Sequence, residues 1–456
     1  MSIKSQSSKH FLLWCSPGFG VVDIWLPVVK ELKTKKGITI DFVFPEPSTL
    51  GLEEKNSGLF NLSEKFSDNV IYRGYSGRWF IVPTLIEART GIKFSSFDEK
   101  IANFSVRLLR GRASKYFALK IVGKVISIIS RRFIFLKENL GGQPLYETKL
   151  FNFADGVLCD ITKESKHVNQ ELTKNLKDTF KFSMLHGLGP NWVERRLRCL
   201  NKVSQRDNII VYPMSSLENK GYQKCFGILP KNIVNAGIPR HDKDWIEFVY
   251  RQSSFVENPV FDSFVFIIGR PASPYNTIER KKRMLKDIYD IVCNKFKLKL
   301  VVKLHPKEPL YGIDVEIYKS ELGEENYGIN WIFSDSHIFK LGKQSFFCIS
   351  FFSGVIMDML ALNKPTIECL DLDGLDAYDN NNSLRDKFGI PVFQYRYTGL
   401  VLGASNRLEI EKHVSSILSQ YEETLLPLRL KYDKYFESFK KSSEIISNDI
   451  IRRVNV

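Results

Sequence analysis

Residues 11–44, FLLWCSPGFGVVDIWLPVVKELKTKKGITIDFVF, read as one strand–loop–helix–strand unit. Phe11–Cys15 is an unbroken apolar run, as expected of a strand covered on both faces. Pro17-Gly18-Phe19-Gly20 interrupts it. Asp23–Lys35 then carries a helical pattern, and Ile38–Phe44 returns to β-branched and aromatic residues. Strand and helix alternating in this way predict a parallel sheet with helices packed on it. Working outward, strands are expected at Gly156–Cys159, Phe182–Leu185 and Ile209–Tyr212, with residues 98–138 mainly helical. A second series follows: strand Ser263–Ile268, helix Thr277–Asn294, strand Leu298–Leu304, strand Phe346–Ser350, helix Gly354–Leu362 and strand Thr366–Leu370. The expected fold class is α/β, with two Rossmann-like domains facing across a cleft. Their bounds are 1–240, with a basic helical insertion near 98–138, and 262–405; a helical tail spans 406–456. The segment 237–261, holding Gly237, Pro239 and Pro259, suits a linker.

The chain has 456 residues, 43% hydrophobic and 26% charged, which fits two or three globular domains and excludes a disordered or collagen-like chain. Lys and Arg number 66 against 51 Asp and Glu, a net charge of +15 that favours an anionic partner. Seven cysteines with no C-x-x-C pair argue for free thiols in a reducing compartment and against a zinc site. No window offers the roughly 20 apolar residues of a membrane helix. A cytoplasmic protein is expected, able to rest on the inner face of the cell membrane.

Chemistry-bearing residues cluster where strands end. Lys303-Leu304-His305-Pro306-Lys307 follows the strand before it, and Pro306 biases His305 toward extended backbone. Two lysines beside an imidazole suit a phosphate; a buried, strand-capping histidine is the competing reading. Ser350-Phe351-Phe352-Ser353-Gly354 lies between a strand and a helix, where hydroxyls and backbone N–H groups bind an anion or simply cap the helix. Gly269-Arg270 ends another strand and offers a guanidinium to the same anion. Leu185-His186-Gly187 delivers a histidine suited to general-base work, with Asp160 as the rival base. Glu368 is positioned to accept ribose hydroxyls. No metal-binding motif or Walker lysine is present, so neither metal nor cofactor is expected.

From Phe104 to Lys137 there are nine Lys/Arg and no Asp or Glu. On one helix, Arg110, Lys120, Lys124 and Arg131 would fall within about 80°. Interleaved apolar residues give the pattern of a helix lying on anionic lipid; a solvated helix face is the alternative.

Taken together, Lys303-Leu304-His305-Pro306, Ser350-x-x-Ser353-Gly354 and Ala361-Leu362-Asn363-Lys364-Pro365 resemble bacterial GT-B transferases that use cytidine nucleotides. These are the CDP-glycerol glycerophosphotransferases of teichoic acid synthesis and the sialyl- and Kdo-transferases. His186-Gly187 and Gly237-Ile238-Pro239-Arg240-His241-Asp242 resemble elements of the former. The similarity covers mainly residues 180–375. It implies a GT-B fold, donor phosphates on His305, Ser350 and Ser353, and His186 as base; the strand-end reading adds Arg270, Lys303 and Gly354 to the phosphate side. The implied activity is metal-independent sugar transfer from a nucleotide-activated donor, a CMP-sugar such as Kdo or a sialic-acid-like sugar. The acceptor would be a glycan or lipid-linked glycan of capsule or lipopolysaccharide assembly. Three other readings stand beside it: CDP-polyol-dependent polyol-phosphate transfer, a nucleotide-sugar epimerase, and a basic nucleic-acid-binding protein. The last lacks any recognisable binding motif.

Overall fold

In a computed structural model, the structure describes residues 8–16, 19–46, 57–74, 78–91, 104, 117–137, 143–145, 154–161, 179–190, 192, 207–252, 261–305, 308, 313–373, 383–385, 391–436 and 441–455. Two sheets organise them. The first comprises β1 (Lys9–Trp14), β2 (Ile38–Phe44), β3 (Val70–Arg73), β4 (Trp79–Val82), β5 (Gln143–Leu145), β6 (Gly156–Cys159), β7 (Phe180–Ser183) and β8 (Ile209–Val211). Its order is β5-β4-β3-β2-β1-β6-β7-β8. The opening unit pairs β1 and β2 in parallel through the helix Phe19–Lys33, as its sequence pattern requires. β3 joins β2 in parallel, and β4 and β5 then extend the sheet by antiparallel pairing, an addition the alternating pattern does not announce.

The second sheet comprises β9 (Phe264–Ile268), β10 (Lys299–Lys303), β11 (Trp331–Phe333), β12 (Ser345–Ser350) and β13 (Thr366–Cys369), a short hairpin of β14 (Ser383–Arg385) and β15 (Pro391–Phe393) standing apart, and finally β16 (Leu402–Ala404). Its order is β11-β10-β9-β12-β13-β16, all parallel. β9 is buried along its whole length, so its sequence, Phe-Val-Phe-Ile-Ile, is apolar without alternation. The order runs one way from β9 to β10 and β11 and the other way from β12 to β13 and β16. The reversal between β9 and β12 opens a crevice at the carboxyl ends, where such folds bind ligands.

Contacts group the chain into two compact units: Met1–Val22, Leu32–Leu52 and Ser63–Phe182 in one, Asp23–Glu31, Glu53–Leu62 and Ser183–Val456 in the other.

Two expectations need correction. The segment read as a linker is folded over its first part: the helix Lys243–Tyr250 buries Trp245, Ile246 and Val249. The cysteines are not all free, because Cys225 is disulfide-bonded; Cys15, Cys159, Cys293, Cys348 and Cys369 are free and buried. Spacing alone showed no pair, since a bridge needs nearness in space rather than in sequence.

The charged C-terminal segment forms helices Arg407–Ser419, Tyr421–Tyr435 and Ser442–Val454. The last is anchored at its start by Asp242, whose carboxylate accepts from Ser442 N at 2.9 Å, Ser443 N at 2.8 Å and Ser443 Oγ at 2.6 Å. These bonds satisfy donors that a helix start leaves open.

Candidate functional site

The register of the second sheet sets three strand ends level. Lys303 of β10 and Ser350 of β12 both stand opposite Ile268 of β9. The loops that follow therefore leave side by side, and a cavity of about 150 Å³ lies among them. Lys303, Leu304, His305, Gly269, Ser353 and Val355 line one side; Asp23, Arg240 and His337 contribute charge and an imidazole to the same cavity. That volume is below the roughly 300 Å³ of a site enclosing a whole drug-sized ligand, and suits one phosphate- or polyol-sized group.

The cavity-lining residues are supported from beneath. Gly269 N donates to Lys303 O at 2.8 Å. A Cβ on Gly269 would lie 2.4 Å from Glu308 Oε2, 2.7 Å from Lys303 O and 3.0 Å from His305 N, so only glycine fits there. Glu308 closes the His305 turn: its Oε2 accepts from His305 N at 2.6 Å, and its own N–H donates to His305 O at 2.8 Å. Beneath it, the fully buried Lys281 ammonium donates to Glu308 Oε1 at 2.8 Å and Asp314 Oδ1 at 3.1 Å. Tyr318 OH adds a bond to Glu308 Oε1 at 3.2 Å, and Asp314 Oδ1 accepts from Ala272 N at 3.2 Å. One buried charge cluster thus holds the His305 turn and the loop after β9 together. Burial pushes the Glu308 carboxyl up, and Lys281 only partly opposes this.

Lys303 Nζ donates to Asp335 O at 2.9 Å. Burial pulls its ammonium down to about 8, against the opposing effect of the Asp335 and Asp23 carboxylates. A bound anion would favour the charged form.

The serine turn differs from its expected role. The helix Val355–Ala361 has seven residues, and its first N–H groups are already taken. Val355 N donates to Ser353 Oγ at 3.3 Å, Ile356 N to Ser353 O at 3.3 Å and Met357 N to Gly354 O at 3.0 Å. These three donors are therefore not open to an anion, because the turn itself satisfies them. Gly354 instead permits close packing: a Cβ would sit 2.9 Å from Leu188 O. Tyr395 OH donates to that same carbonyl at 2.8 Å, so the 185–190 loop is fixed to the serine turn. Phe352 holds a φ of 81°, a strained value for a bulky residue. Its ring is wedged against Phe393 at 4.5 Å and Tyr395 at 5.3 Å between centroids.

Of the expected anion-binding residues, Lys303, His305 and Ser353 line the cavity. Arg270, Ser350 and Gly354 adjoin it without being among its walls. Arg270 is turned to Tyr275 OH at 2.6 Å, with its guanidinium 5.5 Å from the Phe352 ring centroid. Ser350 is buried, its Oγ without a hydrogen-bond partner among the described residues. Glu368 is fully buried, and its Oε2 accepts from Arg396 Nε at 2.9 Å. His186 is half-buried in the loop seated on Gly354. Asp160 is buried at the end of β6 and belongs to the other unit. Lys120, Lys124 and Arg131 lie on the helix Phe117–Lys137, while Arg110 and Pro306-Lys307 fall outside the described residues. Among the described residues no cluster of His, Cys, Asp and Glu could hold a metal ion.

The sequence reading did not single out the acidic and imidazole side of the cavity. Asp23 Oδ2 pairs with Arg240 at 2.6 Å, and Arg240 Nε lies 3.1 Å from Asp358 Oδ1. His241 Nε2 lies 3.0 Å from Asp358 Oδ1, with Nδ1 2.6 Å from Tyr432 OH. Burial raises the Asp23 carboxyl, but Arg240 and His337 together outweigh it and hold it below its usual range. Burial holds the His337 imidazole down.

No protein-family model and no curated protein matches the sequence. Solved structures do match in shape. The Staphylococcus aureus MnaA–UDP structure aligns at TM-score 0.52 and 13% identity, over 98% of this chain and 97% of that one. UDP-GlcNAc 2-epimerase from Neisseria meningitidis, bound to UDP-GlcNAc, aligns at 0.53 and 13%, over 97% and 100%. The Methanocaldococcus jannaschii enzyme, in complex with UDP-GlcNAc and UDP, aligns at 0.51 and 13%, over 98% and 99%. At these identities the likeness establishes the fold: two parallel-sheet α/β domains of GT-B type.

Proposed function

We propose that this chain is a nucleotide-sugar-dependent GT-B glycosyltransferase that uses a cytidine-activated donor to build a surface glycan. One observation carries the reading: Lys303, His305 and Ser353, delivered by β10 and β12 on either side of β9, where the sheet order reverses, share one cavity. In this reading they neutralise the phosphate that departs with the nucleotide. Arg270, Ser350 and Gly354 shape the adjoining turns. His186 or Asp160 takes the proton of the acceptor hydroxyl.

The test is a binding screen of CMP-sugars, CDP-polyols and UDP-sugars by thermal shift, on wild type and His305→Ala. The matching donor class, at 100 times its Kd, stabilises wild type by about 2.7 kcal/mol. That stabilisation is largely lost in His305→Ala; equal shifts in both proteins would remove His305 from the site.

A second reading, nucleotide-sugar epimerisation, is favoured by the epimerase structures that align over nearly the whole chain. Incubation with donor alone separates the two. Transfer needs an acceptor and releases nucleotide, whereas epimerisation leaves the nucleotide-sugar bond intact.

The helix Phe117–Lys137 supports an acceptor held at a membrane. Phe117 is 79% exposed, Ile128 59% and Ile129 54%, with Ile121, Val122 and Val125 exposed too. At 100° per residue these six span an arc of about 140°, and positions 120, 124 and 131 fall within about 40° of one another beside it. No described helix is long and apolar enough to cross a membrane. Laid on a bilayer, three basic residues contribute about 1 kcal/mol each toward anionic lipid. Phosphatidylserine-containing vesicles should therefore bind the protein roughly 100-fold better than pure phosphatidylcholine. Ile121→Asp combined with Ile128→Asp should abolish sedimentation with either. Retention of lipid binding by that pair of changes counts against this surface.

A further inference from the structure

Asp23 is 8% exposed and lines the cavity, yet among the described residues only one of its carboxylate oxygens meets a partner within hydrogen-bond distance. Oδ2 takes the Arg240 guanidinium. Oδ1 accepts no hydrogen bond of ordinary length; His337 Nε2 approaches it only to 3.6 Å. The His337 ring is fixed by its other nitrogen, since Nδ1 accepts from Phe339 N at 3.1 Å and caps the helix Ile338–Gln344. An Nδ1 that accepts places the proton of the neutral ring on Nε2, the nitrogen turned to Asp23. A buried carboxylate oxygen whose nearest donor stands off at 3.6 Å is under-satisfied, and such groups call for an explanation.

We infer that Asp23 Oδ1 and His337 Nε2 together receive a hydroxyl of the ligand whose phosphate lies on Lys303, His305 and Ser353. A hydroxyl donates to Oδ1 and accepts from Nε2–H, and two atoms 3.6 Å apart can both reach one oxygen at hydrogen-bond distance. In a cavity of about 150 Å³ the hydroxyl and the phosphate must belong to one compact group, which defines the ligand class as a phosphate ester of a polyol or sugar. Arg240 acts as a positioning residue, turning Asp23 so that Oδ1 rather than Oδ2 faces the cavity. The inference rests on the proposed phosphate site and adds the part of the ligand that the site discriminates.

The probes are inorganic phosphate, n-propyl phosphate and glycerol 3-phosphate, titrated calorimetrically into the full chain. Wild type should bind glycerol 3-phosphate at least tenfold more tightly than propyl phosphate, because propyl phosphate has no hydroxyl for Asp23. This comparison needs no variant. In Asp23→Asn and Asp23→Ala the preference should fall below threefold, while inorganic phosphate binds at least as tightly as before. His305→Ala should weaken all three probes alike. If the anions bind through His305 but hydroxyls make no difference in wild type, or the preference survives in both Asp23 variants, the role of Asp23 is overturned and the phosphate site stands. If none of the probes binds wild type, or His305→Ala binds them unchanged, both fall.

Discussion

Lys281→Met will lower the stability of the protein by about 3–5 kcal/mol, the range for removing one partner of a buried ion pair. Lys281 and Glu308 have no exposed side-chain surface, and Asp314 has 9%. Without the ammonium, two carboxylates face each other in the core, and Met supplies volume but no donor. The pH dependence carries a sign. Burial already raises the Glu308 carboxyl in the native state, and losing Lys281 raises it further. Between the unfolded and native values, the folded chain then holds the extra proton, so stability falls as pH rises through that window. The deficit of the variant is therefore greatest at neutral pH and shrinks on acidification toward the ordinary carboxylate range. Adding Glu308→Gln should recover part of the loss. Denaturant unfolding at several pH values checks this; a deficit under about 1 kcal/mol at pH 7 would show that the cluster contributes little. Because Glu308 also closes the His305 turn, the same variant should bind phosphate esters more weakly.

Arg240→Met should cost a comparable amount, about 3–5 kcal/mol. The guanidinium is 7% exposed and lies between two carboxylates, Asp23 and Asp358, which it would leave without their cation. Arg240→Lys should recover only part, since a single ammonium cannot present two separate N–H edges to two acceptors. Full recovery by lysine, measured by the same unfolding experiment, would mean that charge alone matters at this position. The loss should also be felt in the cavity, since Asp23 would then be free to turn.

That arginine shows where sequence reading stops. Gly237-Ile238-Pro239-Arg240-His241-Asp242 was recognisable as a motif, and the structure gives each of its charged or titratable members a partner, Asp358 being shared by two of them. Arg240 holds Asp23 and Asp358, His241 holds Asp358 and Tyr432, and Asp242 holds the start of the last helix. The motif's place beside a linker was misread because its partners are remote in sequence; His241 and Asp358 are 117 positions apart. A strand such as β6 was legible to the residue, since buried parallel strands are written as continuous apolar runs. β11, with three residues, is too short for such a run to stand out. Lys303, His305 and Ser353 could be found because they lie at or just beyond strand ends. Asp23 could not, because an acidic residue on an amphipathic helix ordinarily faces solvent. His337 lacked any signal, as its capping role depends on where the next helix begins.

The fit of Gly354 beneath the Leu188 carbonyl has a bearing on redesign. Two stretches far apart in the chain are mated there like a tenon in its socket, with Tyr395 as the peg. Anyone grafting a foreign segment into positions 185–190 to retune substrate choice would have to import the matching serine-rich bend as well. Exchanged singly, either piece would be left seated on a surface shaped for another.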